Sequence, residues 1–134
     1  MFLYLLNEKE GKAFLELATQ AMKVDSRIDL SEQAELESLE MELDLVGYKT
    51  RGISKDAAIS ILKDCSIQVK RCIVIEICGM FYADKILGEK EKSWLYDLTR
   101  KFSLDDKETE RLSRWSKDLS DFIEVGLMYI NGEK

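Results

Sequence analysis

The chain has 134 residues, 46% of them hydrophobic and 34% charged, with 26 acidic against 20 basic side chains and a net charge of −6. That balance excludes a disordered chain, and the interleaved lysines of KEGK and GEKEK lack the basic stripe that nucleic-acid binding draws its affinity from. The absence of histidine removes the commonest general base, the Ser-His and Cys-His nucleophile systems and every His-containing zinc or iron site, and the absence of proline fits long uninterrupted helices.

The opening MFLYLLNEKE is apolar for six residues with no basic n-region, too short for a membrane span or a signal-peptide core. Phe2, Leu3, Leu5 and Leu6 are expected to cover a core surface instead. Charges interrupt every other apolar run, so no membrane insertion is expected and the expected location is cytoplasmic. From Asn7, the spacing of Phe14, Leu17, Ala18, Ala21 and Met22 predicts a helix, and Asn7 with Glu10 makes a capping pair at its start. SEQAELESLEMELDL predicts an amphipathic helix with Leu36, Leu39 and Leu43 on one stripe. GYKTRG (47 to 52) is a loop holding two glycines, and Ser54 is the N-cap of a helix whose apolar face is Ala58, Ile61, Leu62 and Cys65.

VKRCIVIEICGMFYAD is the most apolar stretch, and CIVIEIC alone reads as a buried strand because β-branched residues dominate it. The apolar block continues past Gly79 through Met80, Phe81 and Ala83, and no hairpin partner is visible, which favours a central buried helix. Cys65, Cys72 and Cys78 are odd in number, form no C-x-x-C and roughly follow one helical face. They read as buried small hydrophobes in a reducing compartment rather than as a redox pair or zinc site. GEKEKSWLYDLTRKF predicts another amphipathic helix carrying Trp94, Leu95, Leu98 and Phe102. Ser103 with Asp106 marks a further start, continued by the stripe Leu112, Trp115, Leu119 and Phe122, and both tryptophans read as core anchors. The tail IEVGLMYI is expected to pack back onto the core, as helix or strand, before a fraying NGEK.

Two loops carry the same signature, D-x-x-[I/L]-x-x-x-E: Asp25, Ile28 and Glu32 in the first, Asp84, Leu87 and Glu91 in the second, 59 residues on. The same offset sets Leu15 against Val74, Ala18 against Ile77, Leu39 against Leu98 and Leu45 against Leu104, apolar on apolar. The fold class is therefore all-α: one domain over 1–134, a compact bundle of about six to seven helices built from two helix-loop-helix units, about 10–45 and 69–104.

With VDSRIDLSE (24 to 32) and ADKILGEKE (83 to 91), the chain resembles the TerB-like domain family, named from a bacterial tellurite-resistance protein, over about residues 10 to 115. That family carries A-D-G-x-[I/L]-x-x-x-E at two positions. The glycine after Asp is Ser26 in one loop here and Lys85 in the other, so a positive φ at either place would strain the turn. The resemblance implies an all-helical binding or scaffold domain of the stress response, with divalent-metal binding proposed through the acidic loops.

The acids admit two readings. In the first, Asp25 and Asp84 close Asx-type turns, while Glu32 and Glu91 sit near the third position of the next helix and reach back to its exposed N–H groups, with Asp29 as a further N-cap. In the second, Asp25, Glu32, Asp84 and Glu91 together hold Ca²⁺ or Mg²⁺, although the spacing is not that of an EF-hand. Paired carboxylates without histidine, Gly-rich phosphate loop or aromatic cleft do not suggest an enzyme. The alternative to the scaffold reading is a protein-interaction or self-association module, using the apolar ends MFLYLL and VGLMYI to meet a protein partner or to form a homo-oligomer.

Overall fold

A computed structural model describes residues 1–24, 30–83 and 87–133. Among them, a single 3-10 turn (Leu3–Leu5) precedes six α-helices: α1 (Glu8–Met22), α2 (Leu30–Glu42), α3 (Lys55–Ile61), α4 (Ile67–Tyr82), α5 (Glu89–Lys101) and α6 (Asp106–Ile130). The strand-like CIVIEIC is therefore helical. Its β-branched residues are not placed in a sheet; Ile73, Val74 and Ile77 are fully buried on α4, which packs against α1, α5, α6 and the N-terminal turn. Burial of these side chains overrides the modest helix penalty of β-branching.

The helix starts follow from local chemistry. Asn7 and Glu10 form a reciprocal capping box, with Oδ1 accepting from Glu10 N–H at 2.8 Å and Glu10 Oε1 accepting from Asn7 N–H at 2.9 Å. Ser54 and Ser66 cap α3 and α4 by accepting from Ala57 and Val69 N–H. The start expected at Ser103 is displaced: Asp105 is the N-cap of α6, accepting from Glu108 N–H at 2.7 Å, and Ser103 instead terminates α5 with φ +62°.

Both α2 and α5 are 13 residues long and end alike. In α2, Leu45 N–H reaches back to Glu40 O (2.8 Å) and Asp44 N–H to Met41 O (3.1 Å). In α5, Leu104 N–H reaches Thr99 O (2.9 Å) and Ser103 N–H reaches Arg100 O (3.0 Å). These are two Schellman caps, each with a non-glycine residue in the left-handed region, Asp44 at φ +58° and Ser103 at +62°. Leu45 and Leu104, the residues after them, both turn into the core.

Around α4 the core gathers Phe14, Leu15 and Leu17 of α1, Leu39 of α2, Leu95 and Leu98 of α5, then Phe102 and Leu104. Gly11 gives α1 and α2 room to close, since a Cβ there would lie 3.1 Å and 3.2 Å from the side chains of Leu43 and Leu45. Three details differ from the sequence reading. Ile59, not Ile61, is the buried isoleucine of α3. Of the opening apolar run, Leu3 is buried and Leu6 packs on the core, while Tyr4 and Leu5 are exposed. Cys72 and Cys78 are buried as expected and Cys65 is half-buried, all three as free thiols.

The largest departure is in α6. Its inward face is not the Leu112–Trp115–Leu119–Phe122 stripe but Thr109, Ser113 and Ser116, all buried. Small polar side chains let α6 lie close along α4 and bond to it. Ser113 Oγ meets Tyr82 Oη at 2.9 Å, Ser116 Oγ donates to Ile75 O at 3.3 Å, and Ser120 Oγ donates to Tyr82 O at 3.3 Å. Leu112 and Leu119 are left half-buried, while Trp115 and Phe122 are exposed.

Candidate interaction surface

Two of the four acids of the expected cation site, Asp25 and Asp84, lie outside the described residues, as does Asp29. The other two are the third residues of their helices, Glu32 in α2 and Glu91 in α5. Glu91 Oε1 accepts from Gly88 N–H at 3.0 Å, so it performs the back-reaching half of a capping box on a glycine N-cap. Among the described residues no three His, Cys, Asp or Glu side chains converge as metal ligands would.

A buried acid that composition and spacing did not single out lies in α1. Glu16 is almost fully buried, and its carboxylate accepts from Tyr48 Oη (2.7 Å), Arg51 N–H (2.8 Å) and Gly52 N–H (3.1 Å). It clamps the 47–52 loop, whose glycines 47 and 52 both have positive φ, onto α1; Gln20 Nε2 adds a bond to Ile53 O at 2.9 Å. Burial, and then the bond donated to Glu16, push the Tyr48 hydroxyl up to about 12. The clamp floors an open cleft of about 430 Å³ whose wall includes Lys12, Tyr48 and Arg51. With three donors on two oxygens, the carboxylate is occupied in holding the loop.

A second polar knot joins α3 to α5. Lys55 Nζ donates to Trp94 O and Asp97 Oδ2, both at 2.8 Å, and lies 4.1 Å from the Trp94 ring centroid. Burial lowers the Lys55 pKa despite its acidic partner, whereas the bond from Lys55 lowers that of Asp97. The two side chains hold each other, with Trp94 as their lid: half-buried, edge-on to Phe81 at 5.8 Å, and so an anchor of the core's edge.

The end of α6 leaves large apolar side chains exposed. After Ser120 the helix runs on for ten residues, about 15 Å, with no buried side chain. Phe122, Tyr129 and Ile130 are 75%, 74% and 79% exposed, and Ile123, Val125 and Leu127 are about half exposed. The expectation that IEVGLMYI folds back onto the core is thus corrected: it is helix, and it leaves the core. The patch continues toward the N-terminus, where Trp115, 43% exposed, stacks obliquely on Phe2 at 5.8 Å beside exposed Met1 and Tyr4. Phe2 is itself fixed by its N–H bond to Glu76 at 2.8 Å. A helix that is apolar on nearly all sides is normally a buried one. No described helix is long and apolar enough to cross a membrane. No protein-family model, curated protein or solved structure significantly matches this chain.

Proposed function

We propose that this chain is a non-enzymatic helical interaction module of TerB-like architecture that docks another protein through the C-terminal half of α6. The observation that carries the reading is the run 121–130: a continuous helix whose six large apolar side chains are 43–79% exposed. The TerB-like part is supported by the equal spacing of α1 with α4 and of α2 with α5, by the third-position glutamates Glu32 and Glu91, and by the twin Schellman caps at Asp44 and Ser103. These features agree with two copies of one helix-loop-helix unit, with α3 between them and α6 as an added arm. The resemblance extends the proposal to a stress-response scaffold. The acids of the two loops serve first as helix caps in this reading, and a divalent cation would be an addition to that role.

A photo-crosslinking side chain at Tyr129, in cells expressing the chain, tests the docking role. The expected result is a covalent adduct to one defined protein peptide, whether from another copy or from a different protein, and none from the same probe at exposed Lys92. No adduct at Tyr129 would overturn the reading.

A further inference from the structure

We infer that the surface covering the α6 extension is the α6 extension of a second copy, crossing it antiparallel about Gly126. The inference rests on the docking role proposed above and names its partner. Phe122, Gly126 and Ile130 recur every fourth residue along one face, with Ile123 and Tyr129 on its flanks and Glu124 on the opposite side. A glycine in mid-helix weakens the helix relative to alanine. Among the described residues, a Cβ at Gly126 would meet no atom within 4 Å. What a bare Cα does permit is the close approach of another helix, between the ridges made by residues spaced four apart.

The register is self-complementary. When a two-fold axis passes through Gly126, each residue faces the one equally distant on the other side. Phe122 then meets the second copy's Ile130, and Ile123 its Tyr129. The crossing face itself carries no acid. Covering the four large side chains of that face would remove on the order of 400 Å² per copy, about half of the roughly 800 Å² that one partner contributes to a standard interface. A lipid surface is a poorer match, because residues 118–130 contain three acids and no lysine or arginine.

Sedimentation velocity on the whole chain, from about 1 to about 200 µM, tests the pairing. The mass should move from the 15.5 kDa chain toward twice that value. Phe122→Lys alone and Ile130→Glu alone should each raise the dissociation constant by about 30-fold or more, as loss of an interface anchor does. Combining the two should bring it back to within about tenfold of the parent, because only the antiparallel register sets each new cation beside a new acid. Phe122 and Ile130 are 75% and 79% exposed, so the thermal melts of the variants serve as folding controls. A chain that stays monomeric while Tyr129 crosslinks to a different protein overturns the second-copy inference and leaves the docking role standing. A monomer without adducts overturns both. A monomer that co-sediments with phosphatidylcholine or phosphatidylglycerol vesicles replaces the protein partner with lipid. A dimer unaffected by either single substitution places the interface elsewhere.

Discussion

Glu16→Gln is the substitution whose cost is most directly set by geometry. The carboxylate shares its two oxygens among three donors: Oε2 takes Tyr48 Oη and Arg51 N–H, and Oε1 takes Gly52 N–H. An amide keeps one acceptor oxygen and turns a donating NH₂ toward the remaining group, at an almost fully buried position. A hydrogen bond to a charged group contributes about 1.5–3 kcal/mol net, and a stranded buried donor costs about as much. Part of that is recovered when the 47–52 loop lifts and hydrates, so the expected loss is about 2–3 kcal/mol. At roughly 2.1 cal/mol/K per residue, a chain of this length should melt about 7–11 °C lower. Circular dichroism melts measure this, and native-state hydrogen exchange should show the Arg51 and Gly52 amides losing protection first. Tyr48→Phe, which removes a donor and strands none, should cost only about 0.5–1.5 kcal/mol. The double variant should fall short of the sum of the two, because both changes dismantle one network. A Glu16→Gln melt within about 2 °C of the parent would refute the clamp.

The raised hydroxyl of Tyr48 makes the same clamp sensitive to alkali. Its neutral form is favoured in the folded chain, so its contribution is complete below pH 10, declines between 10 and about 12 and is absent above. An ultraviolet titration should find two of the five tyrosines, Tyr48 and Tyr96, ionising late, and Tyr48→Phe should abolish the Tyr48 step and the matching loss of stability. At the Schellman caps, Ser103→Gly should stabilise by about 0.5–1 kcal/mol and Asp44→Gly by somewhat less, since aspartate tolerates the left-handed region better than serine. Gly132, already a glycine at φ +77° in the equivalent position after α6, shows the residue such a cap favours. For the acidic loops, thermal shift with Ca²⁺, Mg²⁺ and Mn²⁺ at millimolar levels decides between roles. A shift that Asp25→Ala or Asp84→Ala abolishes would establish a cation site, and no shift with any ion would leave the acids as caps alone.

Much of the fold was legible because its helix starts depend on neighbours in sequence. Asn7 with Glu10, Ser54 ahead of Ala57, and Glu91 at the third position are contacts three residues apart, and local patterning reports them. The displaced start at Ser103 shows the limit. A serine before a helix can cap it or close the previous one, and the choice is made by the burial of Leu104, which pulls Ser103 into the left-handed region. The inward face of α6 was illegible for a different reason. Pattern reading equates apolar with inward, but α4 and α6 approach so closely that serine and threonine fit where leucine does not, with their hydroxyls bonded to Tyr82 and to backbone carbonyls. The Glu16 clamp was hidden likewise: a charged residue inside an apolar run reads as the solvent side of a helix until a distant loop supplies its donors.

Those two blind spots bear on function together. The polar stripe of α6 reaches its last bond to α4 at Ser120, and from there the helix carries the apolar residues that a core-facing helix would have carried earlier. An isolated ten-residue helix with Ile123, Val125 and Ile130 would be marginal in water, but one continued from an anchored helix needs only propagation, not a new nucleus. The body can therefore hold the extension in place without covering it. Stability and association are then assigned to separate halves of one helix: hydroxyl bonds and small residues hold the first half to the domain, and apolar area on the second half is available to a partner. Substitutions at Ser113 or Ser116 should act on folding, and substitutions at Phe122 or Ile130 on association, with little exchange between the two because no side chain past Ser120 is buried against the body.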